Sequence, residues 1–185
     1  NYYIMIQNVA RGNFPPKGEL KVKPTLVNKR AEDNQLAESM GKIKYKIAVM
    51  SGKGGVGKSL VTANMAMAFA MKGYSVGLLD ADIHGPSIPK MLGLEKRAPI
   101  IQDEKIVPVI GPLNMKVMSM AFLLPSEEIP VVWRGPLKAK AIREFLSKTL
   151  WGELDYLLVD LPPGTGDEPL SIVQLIPNLS GSVIV

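Results

Sequence analysis

The sequence predicts an α/β domain with a mostly parallel sheet flanked by helices. Three observations predict it. Short, nearly continuous apolar runs occur at residues 47–50, 75–80, 155–160 and 182–185, as strands buried on both faces require. Helical segments at residues 58–72 and 136–150 alternate with them, the order that builds a parallel sheet. The first run also stops at a glycine-rich stretch that opens the first of those helices.

Taken in chain order, residues 1–41 read as a basic, flexible appendage. They contain a breaker cluster, Asn13, Phe14, Pro15, Pro16, Lys17 and Gly18, and a short polar helix is expected at residues 28–40. Residues 42–185 read as the folded domain. Its first strand is Ile47, Ala48, Val49 and Met50, and the helix that follows is rich in Ala and Met. The chain's many methionines are expected as core filler rather than as a cofactor box. The next strand ends at Asp80. Residues 93–130 are less regular, with strands expected at 106–110 and 115–120. A helix at 136–150 carries Leu137, Ile142, Phe145 and Leu146 as its apolar set. A strand at 155–160 ends on Asp160. The last apolar run begins one more buried strand, so the sheet is expected to be C-terminally incomplete.

The chemistry starts after the first strand. Ser51, Gly52, Lys53, Gly54, Gly55, Val56, Gly57, Lys58 and Ser59 fit the phosphate-loop pattern Gly-x-x-x-x-Gly-Lys-Ser/Thr. Glycine lets the backbone turn so that successive N–H groups face phosphate oxygens. The helix behind it presents its positive end to the same anion. Lys58 reaches the β- and γ-phosphates, and the Ser59 hydroxyl suits Mg²⁺. The expected nucleotide-binding set is therefore Gly52, Lys53, Gly54, Gly55, Val56, Gly57, Lys58, Ser59 and Leu60. A strand before the pattern and a helix after it separate this loop from a mere flexible turn.

Two further carboxylate groups stand at strand ends, where ligands gather in open α/β sheets. One is the pair Asp80 and Asp82. The other is Asp160, followed by Leu161, Pro162, Pro163, Gly164, Thr165, Gly166 and Asp167. Asp160 has the position of a Walker B aspartate, expected in the Mg²⁺ shell with Ser59. The turn behind it is of the kind that responds to a γ-phosphate. Asp80 reads equally well as a structural cap.

Lys53, a second lysine inside the loop, resembles the deviant Walker A motif of the MinD/ParA/nitrogenase-iron-protein class of P-loop NTPases. In that class the extra lysine reaches the partner's phosphates across a nucleotide-sandwich homodimer, and the position of Asp82 orients the attacking water. The resemblance thus implies catalytic roles for Lys53, Lys58 and Asp82. Residues 80–87 (Asp-Ala-Asp-Ile-His-Gly-Pro-Ser), 132–136 (Val-Trp-Arg-Gly-Pro) and 160–167 (Asp-Leu-Pro-Pro-Gly-Thr-Gly-Asp) narrow it further. With the loop they strongly resemble the Mrp/ApbC family of iron–sulfur cluster carrier ATPases, over about residues 45–185. That resemblance implies a Mg²⁺-dependent ATPase that passes clusters to apoproteins. The family bridges a [4Fe–4S] cluster across the full-length dimer with a Cys-x-x-Cys pair near its C-terminus. This chain has no cysteine and so no cluster ligands of its own. A membrane- or DNA-switching ATPase of the MinD/ParA type is the alternative; a C-terminal amphipathic helix would mark it.

Composition excludes other classes. With 46% hydrophobic residues the chain is not wholly disordered. The absence of cysteine excludes disulfides and thiolate metal sites within these residues, and a single histidine, His84, leaves zinc without ligands. Trp133 and Arg134 are of the types enriched at partner surfaces. No apolar run approaches the roughly 18 residues of a membrane span. No signal-peptide pattern opens the chain, and a cytoplasmic protein is expected. The net charge of +5 sits in residues 1–46, which hold nine Lys/Arg against four Asp/Glu. Without interleaved aromatic residues that excess reads as a solvated leader and argues against nucleic acid.

Overall fold

The computed structural model describes residues 26–83, 85–123 and 135–185. The expectations for the chain before residue 26, for His84 and for Trp133 and Arg134 fall outside the described residues. Among the described residues the main sheet has six strands in the order β5-β6-β2-β7-β1-β8. These are β1 (Ile43–Met50), β2 (Val76–Asp80), β5 (Val109–Ile110), β6 (Lys116–Ser119), β7 (Leu154–Asp160) and β8 (Gly181–Ile184). All neighbours are parallel except β5, which runs antiparallel to β6. A separate hairpin joins β3 (Ile100–Gln102) to β4 (Lys105–Val107).

Helices cover both faces, as buried parallel strands require. On one face α2 (Lys58–Met71) lies over β1, β2 and β7, and the short α3 (Ile88–Met91) packs beside α2. Ala63 and Ala66 let α2 approach closely, and Val76, Leu78, Val117 and Leu158 meet it from the strands. The other face carries α1 (Leu26–Gly41), α4 (Gly135–Lys148) and α5 (Asp167–Gln174). There Ile142, Phe145 and Leu146 pack with Trp151, Leu157 and Val159. Trp151 is fully buried, and its Nε1 donates to the Phe145 carbonyl at 3.0 Å. A Cβ on Gly77 would stand 2.7 Å from Leu154 Cδ1 and 3.1 Å from Trp151 Cε3, so this strand position has room only for glycine.

Three expectations need correction. The helix expected at residues 28–40 is present as α1, but it is not part of an appendage: Leu36 and Met40 enter the core. The cause is a single apolar i, i+4 pair, enough to seat one helix face. Ser39 Oγ also donates to the Leu146 carbonyl at 2.9 Å, fixing α1 to α4. Next, β1 begins four residues before the expected start. Lys46 is buried at 4% exposure because its Nζ donates to the carbonyls of Met40 and Ile43, at 3.2 and 3.0 Å. The lysine thereby caps the end of α1, and burial lowers its pKa. Finally, Leu137, expected on the apolar face of α4, is exposed.

Candidate functional site

The parallel strands deliver three loops to one end of the sheet. The register pairs Val49 of β1 with Asp160 of β7, and Asp80 of β2 with the same Asp160. The glycine loop, the Asp80–Asp82 corner and the turn after Asp160 therefore leave the sheet side by side. Gly164 N–H donates to the Ser51 carbonyl at 2.8 Å, tying the last of these loops to the first.

Within the glycine loop Gly55 and Gly57 have φ of 77° and 93°. A side chain at either would be strained there, so the loop turns only with glycine. Gly57 caps α2 with no side-chain bond, leaving the helix N–H groups open towards the loop. A cavity of about 460 Å³ sits over this end, within the usual range for a small-molecule site. Ser51, Gly54, Gly55, Gly57, Lys58, Ser59 and Leu60 line it from the loop, Asp82, Gly85, Ser87 and Met91 from the corner after β2, and Pro163 from the turn after β7.

Lys58 and Ser59 of the cavity lining reach back to Asp160, which is fully buried behind them and does not line the cavity. Lys58 Nζ lies 2.9 Å from Asp160 Oδ2, and Ser59 Oγ donates to the same oxygen at 2.5 Å. Thr62 Oγ1 donates to Asp160 Oδ1 at 2.7 Å. Thr62 was not singled out from the sequence; its signal is the i, i+3 spacing from Ser59 on α2, which puts both hydroxyls on one face. Hydroxyl and carboxylate oxygens converging beside an amine are the hard donor set that suits Mg²⁺.

Asp80 is fully buried and accepts three bonds. Asp82 N–H reaches Oδ1 at 3.2 Å; Ile88 N–H and Ser119 Oγ reach Oδ2 at 3.3 and 3.0 Å. It is the structural member of the pair. Asp82 lies on the cavity wall, where its Oδ1 accepts from Gly85 N–H at 3.3 Å. Lys53 is exposed and stands outside the cavity lining, while Ser51 Oγ holds its carbonyl at 3.0 Å. Lys58, Ser59, Asp82 and Asp160 thus meet at one site, and Lys53 lies at its rim on the same loop.

Burial, followed by the charge of Asp160, pushes the Asp80 carboxyl up to about 7 from 3.8. The folded chain then holds a proton that the unfolded chain lacks between about pH 4 and 7. This group's contribution to stability falls as pH rises across that window and is flat above it. At 1.36 kcal/mol per unit the ceiling is roughly 4 kcal/mol. Urea titrations of the nucleotide-free protein in chelator are expected to show that slope, and Asp80→Asn is expected to flatten it. A parallel slope in both proteins would contradict the assignment.

The residues also match known proteins. Residues 42–185 match the family model described as ParA, NUBPL iron-transfer P-loop NTPase. The iron–sulfur cluster carrier protein of Saccharolobus solfataricus is 56% identical over 156 residues, covering 84% of this chain and 53% of that protein. The carrier of Methanocaldococcus jannaschii is 55% identical over 154 residues, covering 83% and 53%. The chain spans about half the length of the curated relatives it matches. Among solved structures, a nucleotide-binding protein of Archaeoglobus fulgidus in complex with ADP superposes with a TM-score of 0.73. It is 52% identical, over 83% of this chain and 58% of that one.

Proposed function

This chain belongs to the ParA-class P-loop NTPases of the NUBPL iron-transfer type, and on that premise we propose that it is the ATP-hydrolysing part of an iron–sulfur cluster carrier. The observation that carries the reading is the convergence of Lys58, Ser59 and Thr62 on buried Asp160, with Lys58 and Ser59 also lining the glycine-loop cavity. The N–H groups of residues 52–60 receive the phosphates, and Lys58 turns from Asp160 to the β- and γ-oxygens. Ser59 and Asp160 are the residues that would hold Mg²⁺. When bound, the ion neutralises charge on those oxygens.

Asp82 orients a water on the γ-phosphorus. The water oxygen bonds to phosphorus as the bond to the β–γ bridging oxygen breaks, giving ADP and phosphate. Lys53, exposed on the rim of the loop, stabilises the transferring group in the neighbouring site of a homodimer, in the manner of an arginine finger supplied in trans.

The cluster is cargo. Thiolates are its ordinary ligands, and this chain has none. Those ligands belong to the part of the carrier that the longer relatives have and this chain does not span. Apoproteins are the recipients. No described helix is long and apolar enough to cross a membrane.

Anaerobic reconstitution tests this reading. The 185-residue chain is expected to retain no iron or sulfide. The full-length protein is expected to take up a cluster and to pass it to an apo-ferredoxin at a rate that changes with MgATP. A cluster held stoichiometrically by this chain, or transfer indifferent to MgATP, would sink the proposal.

A further inference from the structure

Asp82 stands on a corner that needs an anchor. Residues 81–83 leave β2 and residues 85–87 lead into α3, with Asp82, Gly85 and Ser87 on the cavity wall. Both ends of that corner hang on one carboxylate, because Asp80 accepts from Asp82 N–H at 3.2 Å and from Ile88 N–H at 3.3 Å. Asp80 is in turn held from the next strand. Ser119 lies opposite it in the β2–β6 register, is fully buried, and donates its hydroxyl to Asp80 Oδ2 at 3.0 Å. Ser119 Oγ also accepts from Ala121 N–H at 3.0 Å, which roots it in the 3₁₀ turn Met120–Leu123. Ser119 itself does not line the cavity.

We infer that Ser119 is a positioning residue for ATP hydrolysis: its hydroxyl locks the Asp80 carboxyl group, and the locked group holds the backbone at Asp82 and Ile88 so that Asp82 faces the nucleotide. This rests on the hydrolytic reading above. Oδ2 takes one bond from the corner and one from β6, so losing the hydroxyl frees Asp80 to rotate about χ1 and χ2. Both corner amides would then lose a fixed acceptor. Phosphate binding depends on the glycine loop and Lys58, which Ser119 does not touch. The effect therefore falls on turnover rather than affinity.

The test uses Ser119→Ala, Ser119→Cys and Ser119→Thr, each checked for native circular dichroism. Cysteine keeps the volume but donates poorly; threonine keeps the hydroxyl. Amide hydrogen exchange of the nucleotide-free protein is read at Asp82, Ile88 and Ala121. Exchange at Asp82 and Ile88 is expected to quicken about tenfold in the alanine and cysteine variants, the scale of one net hydrogen bond, and to recover in the threonine variant. ATP turnover should follow the same order: kcat falls about tenfold with KM within about twofold. Adding Ser119→Ala to Asp82→Ala should lower kcat no further, because both act through one group. Faster exchange at Ala121 alone, or a cysteine variant indistinguishable from the parent, would overturn the inference. If the parent protein hydrolyses no ATP, the hydrolytic reading fails, while exchange at Asp82 and Ile88 still decides whether Ser119 holds the corner.

Discussion

The Asp82→Ala protein is expected to bind MgATP almost as tightly as the parent and to hydrolyse it about 10²–10⁴ times more slowly. Asp82 lies on the cavity wall, apart from the Lys58–Ser59–Asp160 cluster. Its loss should spare the ground-state contacts and remove the orientation of water in the transition state. Steady-state phosphate release and equilibrium dialysis read the two effects separately. A variant that lost binding and kept its turnover rate would reverse the roles. Mixing two inactive full-length proteins, Lys53→Ala and Asp82→Ala, extends the test. A heterodimer has one site with its own Asp82 and an intact lysine from across the interface, so the mixture should regain activity. A dead mixture with heterodimers shown to form would remove Lys53 from the trans role.

Lys58→Ala is expected to weaken MgATP by about 10- to 100-fold, the worth of about 1.5–3 kcal/mol in bonds from a charged donor. The geometry adds a second consequence. Lys58 pairs at 2.9 Å with an Asp160 that is 0% exposed. Removing the amine leaves that carboxylate with the hydroxyls of Ser59 and Thr62 only. Breaking a buried pair by deleting one member costs about 3 kcal/mol. The nucleotide-free variant should therefore melt at lower temperature as well. Calorimetry without nucleotide separates this loss from the binding loss. Unchanged affinity in a folded variant would contradict the phosphate role.

The strands carrying the site were legible because their apolar runs end on Asp80 and Asp160, and because the glycine pattern has few other uses. What escaped the sequence reading did so for local reasons. The start of β1 reads Ile-Lys-Tyr-Lys, which hides a strand whose second lysine bonds back to α1. The β3–β4 hairpin turns on Asp103 and Glu104, with φ of 47° and 61°. Neither is the glycine or asparagine that marks such a turn. Helix α5 contains Pro169, which reads as a breaker. It sits in the first turn, where an absent N–H costs nothing. Thr62 and Ser119 were invisible for another reason. Their partners lie 98 and 39 residues away: Ser119 meets Asp80 only through the β2–β6 register, and Thr62 meets Asp160 from α2, with its spacing from Ser59 as the one local hint.

The most direct test of the account is single-turnover phosphate release from the full-length protein. The protein is loaded with ATP in chelator and started with Mg²⁺. Release is expected to require Mg²⁺, to accelerate with protein concentration because Lys53 comes from a second subunit, and to slow about 10²–10⁴-fold in Asp82→Ala with ATP still bound. Release that ignores Mg²⁺ and protein concentration, or none from an ATP-loaded protein, would contradict it.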